Sequence, residues 1–339
     1  MKKWISTLFA LIIMLLIILD TKTAIQGAQE GINLCLYTVI PSLFPFFILS
    51  GFINQKLWGT SSSFLNTLGK ICKIPKGAES ILLLGFTGGY PVGAQLISQS
   101  YKNYGLTRKN AKRMLGFCNN AGPSFIFGIL SPQFSNPITP WVIWLIHLLS
   151  AFLTGKYLTG NNDGKCILDE QHTTNFSKNV ENAIKTTALV SGWIIFFRVI
   201  LTYCNKWFMW VFPEPVKIIF CGLIELSNGS CQLIRIENES LRFLIACVLL
   251  AAGGLCVGMQ TVSVTESLGI GMYFPGKVLQ VLFTLILGSI IQPLLFQDCK
   301  IHPLFILVIS VMTATLIWII NSAERKNKVA FRKKIMYNT

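Results

Sequence analysis

Leu84–Gly128 reads LGFTGGYPVGAQLISQSYKNYGLTRKNAKRMLGFCNNAGPSFIFG. It holds two apolar segments, each interrupted at its centre. Gly85, Gly88, Gly89, Tyr90, Pro91 and Gly93 interrupt the first; Asn119, Asn120, Ala121, Gly122 and Pro123 interrupt the second. Broken helices leave backbone groups unpaired, and each such group costs several kcal/mol in hydrocarbon. Breaks of this kind survive where protein buries them or where they line a wet cavity. In transporters, discontinuous helices near the midplane hold substrates and ions. The stretch therefore reads as half of a substrate site.

Composition sets the class. Of 339 residues, 52% are hydrophobic and 13% charged, about half the charged share of a soluble domain. The chain is a polytopic membrane protein, with the lipid bilayer as its first partner. Its net charge of +15 does not indicate nucleic acid. The basic residues lie between apolar runs and in the tail Arg325, Lys326, Lys328, Arg332, Lys333 and Lys334, as the positive-inside rule places them. The aromatic and basic platform of a single-strand binder is missing. Ten cysteines and three histidines are scattered, with no CxxC, so neither a metal nor a disulfide framework is read. Without a P-loop, HExxH, GxSxG or GxGxxG, no cofactor and no chemistry of its own are expected.

Lys2 and Lys3 precede an apolar run, Trp4–Leu19, read as an uncleaved first span rather than a signal peptide cut near Ala24 or Ala28. Ile32–Ile53 is the second span, kinked at Pro41 and Pro45. Two basic connections follow. Asn54–Glu79 carries Lys56, Lys70, Lys73 and Lys76; Tyr101–Arg113 carries Lys102, Arg108, Lys109, Lys112 and Arg113. If both are cytoplasmic, Ile81–Ser100 between them enters and returns as a re-entrant hairpin, turning at Gly88–Pro91. An ordinary span packed through Gly85xxxGly89 and Gly89xxxGly93 is the alternative. Leu115–Leu130 then crosses through its break, and Trp141–Leu158 returns.

After the hydrophilic stretch Thr159–Asn182 the order repeats. Ala183–Tyr203 is a span, Val216–Leu226 is short, Leu241–Val262 is broken over Gly253–Ser263, and Val278–Leu295 and Pro303–Ile320 close the chain. Charge parity makes the Val216 segment a second hairpin, entered from the opposite face. The fold class is thus all-α, with about eight transmembrane helices and two re-entrant hairpins in an inverted repeat. The division runs 1–30 (first helix and outer loop), 31–160 (first repeat), 161–182 (cytoplasmic linker), 183–297 (second repeat), 298–321 (last helix) and 322–339 (basic cytoplasmic tail).

GFTGGYPVGAQL, FCNNAGPSFIFG, GLIELSNG and GGLCVGMQTVS, with IPSLFPFF before them, resemble in order the signature segments of the YlbJ-type sporulation integral membrane proteins. The resemblance covers Gly31–Pro293. That family belongs to the nucleoside-recognition or gate-domain group, similar in fold to concentrative nucleoside transporters. The resemblance implies an endospore-forming bacterium, a location in the membranes around the forespore, and passage of dipicolinate from mother cell toward the spore. The chain departs from it in its lean connections and in Arg198, where the family leads one to expect a small or polar residue.

The candidate substrate residues are those at the breaks and the charges inside spans. Asn119 and Asn120 offer amide donors and acceptors, either to substrate or to freed backbone. Gly89 and Gly122 open the backbone, and Tyr90 can stack on an aromatic solute or pack under a helix. Glu225 is an intramembrane carboxylate, a functional candidate by default that could instead snorkel at the interface or cap the hairpin turn. Asn228 just after it is a substrate candidate matched to Asn119 of the first half. Gln260, Thr261 and Ser263 echo the Asn119 region. Arg198, mid-span in IIFFRVIL, suits a substrate carboxylate, or else reaches headgroups or Glu225. His147 reads as a hydrogen-bonded core residue. Half-helix N-termini, each worth about half a positive charge, could help hold a dianion. The expected function is transport of a small organic anion. Sodium- or proton-coupled nucleoside transport and a non-transporting spore-envelope scaffold are the alternatives, and a homo-oligomer is left open.

Overall fold

The computed structural model describes residues 2–57, 63–158, 176–265 and 268–296. The expected last span 303–320 and the tail 322–339 lie outside the described residues, as does most of the linker. Among the described residues every regular element is helical. The first half contains α1 (Lys2–Leu19), α2 (Thr21–Leu34), α3 (Ile40–Leu57), α4 (Ser63–Ile71), α5 (Glu79–Thr87), α6 (Val92–Asn103), α7 (Arg108–Met114), α8 (Pro123–Phe125) and α9 (Thr139–Tyr157). The second contains α10 (Phe176–Trp207), α11 (Glu214–Ile224), α12 (Leu226–Gln232), α13 (Glu239–Ala252), α14 (Gly254–Thr265) and α15 (Tyr273–Leu295). Among the described residues, four helical stretches are long and apolar enough to cross a membrane: Thr21–Leu57, Phe176–Trp207, Glu239–Thr265 and Tyr273–Leu295.

The amphipathicity is that of a membrane protein. On α9, Trp141, Leu145 and Leu149 are exposed, while His147, Ser150 and Thr154 are buried. A soluble helix would show the opposite pattern. The chain is an integral membrane protein, all-helical over its described residues.

Near the N-terminus the structure corrects the expected outer loop. Asp20 alone joins α1 to α2, accepting a hydrogen bond from the Thr23 amide as an N-cap. Helix then runs from Thr21 to Leu57, through a π-helical turn at Cys35–Val39 and past Pro45. The cause is packing against α10. A Cβ on Gly27 would lie 2.9 Å from Val199 Cα, and one on Gly31 2.8 Å from Ile195 Cα. These two glycines, one turn apart, let the helix backbones touch. At the other end of the linker, α10 already begins at Phe176, so 176–182 is helix rather than connection.

The segment Glu79–Asn103 is a helical hairpin. Cβ atoms on Gly85 and Gly93 would lie 2.0 Å and 1.7 Å from the same Cys118 carbonyl oxygen. In a straight helix these positions would be about 12 Å apart. The chain therefore turns back between them, through Gly88–Pro91, with Gly89 at φ +81°. With legs of 9 and 12 residues, neither arm reaches across about 30 Å of hydrocarbon. The second half builds the same motif at Glu214–Gln232: a Cβ on Gly229 would lie 2.4 Å from Gly222 Cα. This tip is Glu225.

Both broken spans are present, but shaped differently from expectation. The first is helical over α7, already inside the basic connection because Thr107 caps the Asn110 amide. Its backbone leaves helical geometry through Asn119–Gly122, then resumes as α8 and a π-helical turn at Ile126–Leu130. The second break is narrower than Gly253–Ser263. Only Gly253 and Gly254 adopt positive φ (72° and 79°), and Gln260, Thr261 and Ser263 lie on regular α14.

Contacts at the two ends fix the relative directions. At one end the Met272 amide, just before α15, donates to Lys112 O at 2.9 Å. Arg113 also holds the carbonyls of Cys72, Lys73 and Leu158 there. At the other end Arg242 holds the carbonyls of Gln133 and Ile236, and Gln292 near the end of α15 donates to Ser240 O. The first broken span thus finishes where the second begins, and the two run antiparallel. The hairpins likewise have their feet at opposite ends, the first beside Arg113 and the second beside Arg242.

Candidate functional site: a cavity between two hairpin tips

The two hairpin tips and the two breaks converge. Gly89 at the first tip presses on Gly122 of the first break, where a Cβ on Gly122 would lie 2.7 Å from Gly89 N. Gly222 in the second hairpin presses on Gly254 of the second break, whose Cβ would lie 2.8 Å from Gly222 O. Backbone contact at both joints requires glycine on steric grounds. Between the joints lies a cavity of about 410 Å³, within the range of small-molecule sites. Gly89 and Tyr90, Ala121, Gly122 and Ser124, Glu225 to Ser227, and Val257 and Gln260 contribute to its wall. Thr38 at the π-helical turn and Ser42 at the start of α3, with Val190 and Ile194 of α10, complete one side.

Five of the eleven expected residues line this cavity: Gly89, Tyr90, Gly122, Glu225 and Gln260. Glu225 takes the capping role. One of its oxygens accepts from the Ser227 amide and hydroxyl at 3.1 and 2.6 Å, and the other from the Asn228 amide at 2.8 Å. The carboxylate thus satisfies the donors at the start of α12 while still lining the cavity. Asn228 is buried inside this hairpin, its side chain bonded to Gln232.

Asn119, Asn120 and Thr261 stand behind the wall and join elements to one another. Asn119 accepts from the Ala94 amide of α6 at 3.3 Å and donates to Thr261 of α14 at 3.0 Å. One side chain so ties the first break to the first hairpin and to the second broken span. Asn120 donates to Phe117 O and accepts from Lys277 and Gln280. His147 is the hydrogen-bonded core residue expected, its Nε2 accepting from the Ala121 amide at 3.1 Å.

Two expected residues are placed elsewhere. Arg198 is not on the cavity wall and does not pair with Glu225; its Nε lies 3.6 Å from Glu30 Oε2 between α10 and α2. The glycine face of α2 brings Glu30 to it, a partner hidden while that segment read as loop. Ser263 accepts from Trp193 Nε1 at 2.7 Å, on a shallow groove between α10 and α14 away from the cavity.

The sequence reading missed Lys277. Its position in YFPGKVLQV suggests a lysine reaching headgroups from a span start, yet it is 3% exposed. Nζ donates to Gln280 Oε1 at 2.8 Å, Tyr90 Oη at 3.1 Å and Asn120 Oδ1 at 3.4 Å. It also lies 5.0 Å from the Tyr90 ring centre. Tyr90 Oη in turn donates to Leu250 O at 2.9 Å, a carbonyl freed by the break after α13. Lysine spaced three residues from glutamine was the available signal. Among the described residues, no group of three or more His, Cys, Asp and Glu is placed to share a metal ion.

No protein-family model and no solved structure matches the chain. Among curated proteins it is similar to the sporulation integral membrane protein YlbJ of Bacillus subtilis (strain 168), with 24% identity over 325 residues, covering 80% of this chain and 78% of that protein. The chain is a homologue of that sporulation integral membrane protein.

Proposed function

We propose that the protein carries a small organic anion, of the aromatic dicarboxylate class to which dipicolinate belongs, across a membrane surrounding the forespore. The supporting observation is the single cavity on which two hairpin tips and two breaks converge, with the hairpin feet at opposite ends of the molecule. Short hairpins that stop at mid-depth offer a solute access from either side without a continuous pore. In this reading the protein has eight spans and two re-entrant hairpins arranged as an inverted repeat, with both termini and both basic connections in the mother-cell cytoplasm. The protein supplies binding and passage, and makes or breaks no bond.

A second reading is favoured by Glu225. The described cavity wall contains a carboxylate and no lysine or arginine, an arrangement suited to a neutral solute such as a nucleoside, accompanied by a cation. Purified protein in lipid vesicles separates the readings. Saturable uptake of pyridine-2,6-dicarboxylate without uridine uptake supports the first; the reverse supports the second. Vesicles that take up neither favour a non-transporting scaffold.

A further inference from the structure

We propose that Lys277 is a carboxylate-recognition residue, and that Tyr90 is the latch it holds shut until an anion arrives. The proposal rests on the anion reading above, and deepens it by naming the charge that the cavity wall lacks.

Lys277 is buried, and all three of its hydrogen-bond acceptors are neutral: a phenol and two side-chain amides. Among the described residues no carboxylate pairs with it. Three hydrogen bonds satisfy the ammonium's donors but do not neutralise its charge, and a buried charge without a counter-ion is costly. The neighbouring amides are oriented as acceptors toward it. Gln280 turns Oε1 to Lys277 while its Nε2 donates to Asn120 Oδ1 and His147 O. Asn120 turns Oδ1 the same way while its amide group donates to Phe117 O. The surroundings are built for a cation.

Tyr90 stands between that cation and the cavity, for it lines the cavity wall and its ring lies 5.0 Å from Nζ. A carboxylate entering from the cavity can replace Tyr90 Oη as an acceptor for Lys277, exchanging a neutral acceptor for an ionised one and so forming an ion pair. The Tyr90 hydroxyl then loses the ammonium that polarises it, and its bond to Leu250 O weakens. The joint between the first hairpin tip and the second broken span is thereby loosened by the arriving charge. Differential binding of this kind is what lets a ligand shift a conformational equilibrium. A neutral solute gains nothing from Lys277 and leaves the latch closed.

The test is titration calorimetry on the full chain in nanodiscs, using pyridine-2,6-dicarboxylate, benzoate and uridine, with thermal melting of each variant. Lys277→Met is expected to weaken dicarboxylate binding at least tenfold and benzoate binding less, with an unchanged or higher melting temperature. Lys277→Arg should recover part of the loss. Tyr90→Phe removes the competing oxygen and is expected to bind the dicarboxylate as tightly as the native chain or more so. Lys277→Met binding within threefold of the native chain overturns the proposal. If Lys277→Met does not fold, Tyr90→Phe decides, and tenfold weaker binding by it also overturns the proposal. A native chain that binds the dicarboxylate but does not transport it refutes the transport reading while supporting this one. A native chain that binds neither carboxylate overturns the latch.

Discussion

Arg113 and Arg242 are mirror partners at opposite ends of the molecule. Each enters near the start of a broken span, each is almost wholly buried, and each donates to backbone carbonyls rather than to a carboxylate. Arg113 binds Cys72 O at 2.8 Å, Lys73 O at 2.5 Å and Leu158 O at 3.3 Å. Arg242 binds Gln133 O at 2.6 Å and Ile236 O at 2.6 and 3.0 Å. Both gather the loops at which a hairpin, a broken span and a neighbouring segment meet. The planar fork suits this work in a way that an ammonium does not.

Replacing Arg242 by Met should therefore leave two carbonyls, Gln133 O and Ile236 O, without their arginine donor. With roughly 1–3 kcal/mol for each unsatisfied buried group, the expected loss is about 3 kcal/mol. Reversible unfolding in mixed micelles measures it, and Arg242→Lys should fall between the two. A change under about 0.5 kcal/mol, the ordinary range for a surface substitution, would mean water takes over the carbonyls at no cost.

The hairpin closure predicts an asymmetry among glycines. Gly93→Ala places a methyl 1.7 Å from Cys118 O, so backbone must move. Overpacking of this kind costs about 1–3 kcal/mol or more. Gly192→Ala in α10 meets nothing within 4 Å and exchanges a poor helix former for a good one, a gain of up to about 1 kcal/mol. Melting of the two variants should shift in opposite directions. Equal behaviour would refute the close approach at Cys118.

Sidedness follows from which loops share an end. Cysteines placed at Lys70 and Lys109, in a background without the ten native ones, should react with an impermeant maleimide from one side only. Cysteines at Pro137 and Glu237 should react from the other. Labelling of positions 70 and 109 from opposite sides would make the first hairpin a full span.

Glu225 offers a separation of capping from charge. Glu225→Gln keeps one of the two acceptor oxygens and should cost about 1 kcal/mol, whereas Glu225→Ala loses both and should cost up to about 2 kcal/mol. If the carboxylate also binds a coupling cation, Glu225→Gln alone should abolish any sodium or proton dependence of uptake. Uptake by Glu225→Gln that keeps its native ion dependence assigns the residue to the cap alone.

Much of the plan was legible because glycine, proline and asparagine punctuate it. The turn at Gly88–Pro91, the break at Asn119–Gly122 and the second hairpin's tip all announce themselves as residues a continuous helix excludes. The charge pattern around Lys70 and Lys109 placed both feet of the first hairpin together. Other features were hidden for specific reasons. Thr21–Leu34 has few long apolar side chains, yet Gly27 and Gly31 make it helical by packing on α10, which no local pattern reveals. Gln260, Thr261 and Ser263 looked equivalent in sequence, but helical geometry sends one to the cavity, one to Asn119 and one to Trp193. Lys277 was invisible as a core residue because its partners lie on other segments, Tyr90 187 residues away and Asn120 157.

The last prediction concerns Arg198, the cation that sequence alone would assign to the substrate. In the structure its guanidinium approaches Glu30 rather than the cavity, at 3.6 Å, and the Glu30 side chain is 44% exposed. A half-exposed pair of this length is worth about 0–1 kcal/mol. Arg198→Gln should therefore change dicarboxylate uptake by less than threefold, about 0.7 kcal/mol. Glu30→Gln should act alike, and the double variant should add little, since the pair shares one interaction. Lys277→Met in the same vesicles should remove uptake of the dicarboxylate. The contrast is what carries weight, because both substitutions delete one positive charge within the same fold. Loss of uptake in Arg198→Gln beyond tenfold, with Lys277→Met unaffected, would return the substrate charge to α10. It would also require Arg198 to reach the cavity during transport, since it is not on the cavity wall in this state.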